Sequence, residues 1–191
     1  PKLSGSLTVH PCKSTMHHIS PDPEHVWAYN SITGAFPLND DNRVHLMYPT
    51  MLTTPLQFEV MSSEKFPFPL LGLVHLSNRI QQFDHITLDT KCKIEVYLQD
   101  KLIVHEKGYI VNMVCDVYCE NTNKLLWKST AGLFHFNEKA SIEDKGNPEN
   151  VFYQSELKQE DMQDNVKLET WEHSADMGRH YAKISGDYNP I

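Results

Sequence analysis

A hydroxyl, a carboxylate and a carboxamide stand within five residues of one another in Ser185-Gly186-Asp187-Tyr188-Asn189-Pro190. A carboxylate can carry a proton, and a serine hydroxyl can attack a carbonyl once a base activates it. No His/Asp partner for Ser185 is legible nearby, so Ser185 reads as a residue that fixes the turn rather than one that reacts. Gly186 can take φ > 0, and Pro190 pushes Asn189 out of the α region. Turn chemistry by itself describes a solvated surface loop and assigns no reaction.

The element that must present this turn is a helix. Residues 174–184 are amphipathic, with Ala175, Gly178 and Ala182 in one row and Met177, Tyr181 and Ile184 in the next, at spacings of three and four. Ser174 is the expected N-cap.

From Tyr181 to Ile191 the chain resembles the signature of the MaoC-like dehydratases, the (R)-specific enoyl-CoA hydratase family of hotdog proteins. Tyr181, Ile184, Ser185, Gly186, Asp187, Asn189, Pro190 and Ile191 fall on that motif's positions in order. The family's histidine would be the residue after Ile191, where the sequence stops. The resemblance implies an α+β hotdog fold, an antiparallel sheet wrapped around a central helix. It also implies hydration or dehydration of acyl thioesters by an Asp/His pair, with no cofactor and no metal.

By this likeness Asp187 is half of the acid/base pair, and Asn189 orients the water or the Asp. Gly186 permits close backbone approach, and Ser185, Gly186 and Tyr188 line the substrate. The partner is an acyl-CoA or acyl-carrier thioester, and a homodimer is the expected assembly. A chain that lacks the histidine would instead be a non-catalytic thioester-binding or structural hotdog subunit. A hotdog thioesterase fits less well, since those sites do not use the S-G-D-x-N-P turn, and the polyketide dehydratase pattern HxxxGxxxxP is absent.

The remaining sequence frames these readings. The formal net charge of −8 over 191 residues argues against a nucleic-acid partner. Much of it is local, with eight acids against three bases between Glu138 and Asp164, which reads as a solvated linker. Cys12, Cys92, Cys115 and Cys119 form no CxxC pair and no disulfide framework. Free thiols point to an intracellular, reducing compartment, a bacterial cytoplasm or a mitochondrial matrix or peroxisome. Cys115 and Cys119 share a strand face about 13 Å apart, beyond disulfide reach. The eleven histidines are scattered, without an HExxH. No stretch has the length of a membrane span.

In chain order, Ser6 to His10 alternates as a short strand ending at Pro11, and Ser20 to Glu24 reads as a turn or loop. Residues 46–63 read as a helix that either begins at Thr54 and Pro55 with Gln57 completing a capping box, or runs on with a kink at Pro55. Leu52, Leu56, Phe58 and Val60 are its expected buried side chains. Four strands follow: Leu70 to Ile80; Lys91 to Leu98, with a turn at Gln99-Asp100; Tyr109 to Cys119; and Leu125 to Phe136, where Gly132 marks a bulge.

Tyr48-Pro49, Pro55-Leu56 and the run from Phe66 to Ile80 resemble the N-terminal half of double-hotdog MaoC-type dehydratases, in which a degenerate first repeat precedes a catalytic second one. The expected organisation is a first repeat over residues 1–136, an acidic linker over 137–165 and the start of a second repeat over 166–191, with Val166 to Thr170 as its first strand. His75 and Arg79 read as structural residues of a strand before they read as catalytic ones.

Overall fold

The computed structural model describes residues 9–35, 42–105, 107–137, 170 and 172–187. In chain order its elements are β1 (Lys13–Ile19), α1 (Pro23–Thr33), α2 (Pro49–Ser62), β2 (Leu73–Gln82), β3 (Cys92–His105), β4 (Gly108–Cys119), β5 (Leu125–Phe136) and α3 (Met177–Ser185). The strands form one antiparallel sheet in the order β1-β3-β4-β5-β2. This is the α+β architecture expected, with a helix laid across one sheet face.

Alternation along the strands builds the core. Cys92, Ile94, Val96 and Leu98 of β3 are buried, as are Tyr109, Val111, Met113, Cys115 and Val117 of β4. Trp127 of β5 is fully buried and donates its indole N–H to the Leu46 carbonyl at 2.9 Å, which ties the sheet to the segment leading into α2. Helix α2 lies over β1, β3 and β4 and buries Met51, Leu56 and Val60.

Of the two arrangements open for α2, the single helix is observed, with Pro49 in its first turn and Pro55 inside it. The Thr54–Gln57 capping box does not form. The Gln57 amide donates instead to the Thr53 hydroxyl at 2.9 Å, and the Thr53 and Thr54 hydroxyls donate to the Thr50 carbonyl. Phe58 departs from expectation, being 44% exposed. At 100° per residue, positions 56 and 60 share a face and position 58 lies almost opposite.

Three other expectations are corrected. The first strand begins at Lys13, after Pro11, while Val9 and His10 belong to no strand and residues 6–8 lie outside the described residues. Asp22-Pro23-Glu24 opens a helix: the Asp22 carboxylate accepts from the His25 backbone N–H at 2.8 Å, Pro23 stands in the first turn, and Gly34 closes the helix in the left-handed region. Gln99 and Asp100 continue β3 through a register shift between Leu98 and Leu102 rather than turning the chain.

The strand expected from Leu70 starts at Leu73. Opposite Gly132 the register of β2 shifts between His75 and Ser77, so the expected bulge is present but its extra residue lies on β2. Residues 138–165 of the linker and Val166 to Glu169 lie outside the described residues, and Thr170 belongs to no strand.

Candidate active site

Helix α3 begins at Met177 with Asp176 in the N-cap position, and the Asp176 side chain makes no capping hydrogen bond. Ser174, the expected cap, contributes its carbonyl to the Met177 N–H at 3.1 Å. At the other end Gly186 adopts φ 72° and ψ 1°, and its N–H donates to the Ala182 carbonyl at 2.9 Å. Among the described residues nothing would meet a Cβ at Gly186 within 4 Å, and the left-handed φ asks for glycine.

Ser185 is 8% exposed, and its Oγ accepts from the Asp187 N–H at 3.2 Å. The hydroxyl thus ties the end of α3 to the backbone of the turn. Asp187 itself is exposed. Burial, and then the charge of Asp187, raise the pKa of the Tyr181 phenol. Tyr188 and Asn189 lie outside the described residues.

Helix α3 packs on α1 and α2, with Ile184 against the core. A histidine passed over in the sequence makes a polar link at this junction. His25 of α1 places Nε2 2.9 Å from the Ile184 carbonyl oxygen and Nδ1 2.9 Å from the Tyr48 hydroxyl. A carbonyl only accepts, so Nε2 carries a hydrogen, while Nδ1 is hydrogen-bonded to the phenol hydroxyl. Tyr48 meets both His25 and Tyr29 edge-on, with ring centroids 5.6 and 5.5 Å away. Burial first, and then the charge of Asp22, push the Tyr48 pKa up to about 12, which keeps its hydroxyl available as a donor.

The ends of α1 and α3 repeat one another. The offset that separates Gly34 from Gly186 also separates Tyr29 from Tyr181, Ile32 from Ile184 and Thr33 from Ser185. Both glycines adopt φ 72°. At this offset Ala35 stands where the second copy has Asp187, and Met177 stands where the first has His25. Comparing the sequence with itself at one shift is the signal that exposes the pair.

His75 and Arg79, weighed as alternatives in the sequence, lie exposed on edge strand β2. Asp187 instead follows α3, which packs on α1 and α2. Among the described residues, no group of three His, Cys, Asp or Glu side chains is placed to hold a metal ion. No helix among them is long and apolar enough to cross a membrane.

No family model matches the chain. The chain is 27% identical over 177 residues to 3-hydroxyacyl-thioester dehydratase X of Mycobacterium tuberculosis, across 93% of this chain and 58% of that protein. Its fold is similar to the crystal structure of HtdX from the same organism, with a TM-score of 0.68, 24% identity and coverage of 93% of this chain and 62% of that one. It is also similar to a MaoC-like dehydratase from Phytophthora capsici, with a TM-score of 0.66, 14% identity and coverage of 95% and 64%. The chain thus spans less than two thirds of the length of these relatives. With the five-stranded sheet and its covering helix, these likenesses show that the chain has the hotdog fold, and its sequence is similar to that of a 3-hydroxyacyl-thioester dehydratase.

Proposed function

We propose that the whole protein interconverts trans-2-enoyl and 3-hydroxyacyl thioesters, a hydro-lyase reaction in which Asp187 serves as half of an acid/base pair. The observation that carries this reading is the Asp187 turn itself. It is a carboxylate set at the end of a helix by a left-handed glycine and by the Ser185 hydroxyl, in the order Tyr-x-x-Ile-Ser-Gly-Asp. Further support comes from the relative that carries the name of a 3-hydroxyacyl-thioester dehydratase.

In the hydration direction, water oxygen bonds to C3 while the pair takes a proton from it. The C2–C3 π electrons move toward C2 and the thioester oxygen, and C2 then receives a proton. Dehydration retraces these steps and releases water. No electrons leave the substrate, and water is the one co-reactant. A positioned acid or base contributes about 10²–10⁴-fold to such a step. The second member of the pair is the histidine that the resemblance puts after Ile191, with Asn189 orienting the water or the Asp and Tyr188 beside the substrate. The thioester handle is CoA or a carrier protein.

We read residues 166–191 as the opening of a second hotdog repeat, supported by the way α3 repeats the end of α1. Edge strand β2 leaves Val74 and Leu76 exposed. A second repeat or a second copy in a homodimer would cover that edge by continuing the sheet. The four free thiols suit a reducing compartment.

The test is turnover of crotonyl-CoA and longer trans-2-enoyl-CoAs by the full-length protein, with 3-hydroxyacyl-CoA supplied for the reverse reaction. Product is expected in both directions. Thioester binding without conversion in either direction would replace this reading with a non-catalytic binding subunit.

A further inference from the structure

We infer that His25 is a positioning residue for the Asp187 turn: its ring holds the last turn of α3 by the Ile184 carbonyl and so fixes where Asp187 stands. This rests on the proposed function, because a position has meaning here only if Asp187 acts on a substrate.

The geometry behind it begins with α3. The helix has nine residues, Met177 to Ser185, too few to be stable alone in water. Its place is therefore set by side contacts. Its last carbonyls have no partners within the helix, and a donor aimed at one of them fixes the end of the element directly. His25 supplies that donor to Ile184, three residues before Asp187. Between them the backbone has little freedom, since Gly186 occupies the left-handed turn and Ser185 Oγ takes the Asp187 N–H.

The far side of the ring is fixed as well. The Tyr48 hydroxyl is hydrogen-bonded to Nδ1 at 2.9 Å, which holds the ring with Nε2 toward the Ile184 carbonyl. Tyr48 is fully buried and immediately precedes α2. The chain Tyr48–His25–Ile184 thus runs from the core helix to the turn.

The two copies of the Tyr-x-x-Ile-(Thr/Ser)-Gly segment divide the work. The first copy has Ala35 at the acid position and keeps His25. The second has Asp187 and carries Met177 at the histidine position. In this arrangement the copy without a carboxylate locates the copy that has one.

Two variants separate the donor from the rest of the ring. Gln places its amide nitrogen at the depth of Nε2 and keeps the donor to Ile184. Asn ends at the depth of Nδ1 and loses it. Full-length wild type, His25→Asn and His25→Gln are compared by steady-state kinetics on crotonyl-CoA and by thermal melts. His25→Asn should lower kcat about 10- to 100-fold with KM changed less than about threefold, since a displacement near 1 Å costs up to about 10²-fold. His25→Gln should return kcat to within about threefold of wild type.

An active wild type with an equally active His25→Asn overturns the inference. So does a Gln variant as impaired as the Asn variant, which would assign the effect to packing or to Tyr48. If His25→Asn does not fold, His25→Gln decides alone: near-wild-type kcat supports the donor, and a fall of tenfold or more overturns it. A wild type that turns over no enoyl thioester is a different failure, because it removes the proposed function and the positioning role with it.

Discussion

Gly34 and Gly186 close α1 and α3 with the same backbone turn, each at φ 72° with ψ near zero. Among the described residues nothing lies within 4 Å of a Cβ built at either position, and the left-handed φ is the constraint that they show. Gly34→Ala should destabilise the fold by about 1–2 kcal/mol, and Gly34→Asn by less, because Asn tolerates this region. Gly108→Ala should cost more than either, since its Cβ would run into the His135 carbonyl oxygen, which belongs to a paired strand. Denaturant melts of the three variants give the order, and an Ala variant at Gly34 as stable as wild type would contradict it.

The thiols differ in environment. Burial first, then the charges of Cys119 and Glu120, push Cys92 up to about 12. Burial likewise raises Cys115 to about 11, against hydrogen bonds with Ser129 and Thr53. The Thr122 side chain, and then its backbone, hold the Cys119 thiol below its ordinary value. The thiolate is the reactive form. A pulse of iodoacetamide on the folded protein should therefore alkylate Cys119 at least about tenfold faster than Cys92 or Cys115. Equal labelling of Cys92 and Cys119, read by peptide mass, would place β3 and β4 wrongly.

Glu95 gives a pH dependence with a definite sign. Burial works against its charge. Lys13, by a hydrogen bond and by attraction at 2.8 Å, and Lys93 at 3.4 Å outweigh that and hold the carboxyl below its usual range. A carboxyl depressed on folding adds stability above its unfolded pKa, about 4.3 for Glu, and loses it as pH falls through the folded value. Glu95→Gln should cost roughly 0.5–1 kcal/mol near pH 7. It should cost progressively less in acid, until the two proteins melt alike. A stability difference that stays constant from neutral to strongly acid pH would show that the charge is not its source.

The parts of this fold that were legible in the sequence are those set by short-range pattern. The alternation of Cys92, Ile94, Val96 and Leu98 leads directly to the buried face of β3, and Tyr181 to Gly186 reads as a helix closed by glycine. Phe58 misled because apolar type was counted without helical phase. Gln99 and Asp100 misled because two polar residues that bulge a strand look like two that end it.

Helix α1 was hidden for a different reason. Its signals are the end residues Asp22-Pro23-Glu24 and Gly34, while Val26, Tyr29 and Asn30 make a weak stripe. The link from His25 to Ile184 joins residues 159 positions apart, and no local pattern encodes it. For the same reason a turn ending at Asp187 could be read from residue types, while the element it leans on could not.

The proposed role of Asp187 is to handle a proton in thioester hydration. Asp187→Asn keeps the size of the side chain and a hydrogen-bonding group but removes the base. Because the residue lies exposed in a turn, the melting temperature should move little. The most direct measurement is the initial rate of crotonyl-CoA hydration by full-length wild type and Asp187→Asn, side by side at equal folded concentration. The rate should fall about 10²–10⁴-fold in the variant with thioester binding retained; a variant that hydrates at the wild-type rate would contradict a proton-transfer role for Asp187.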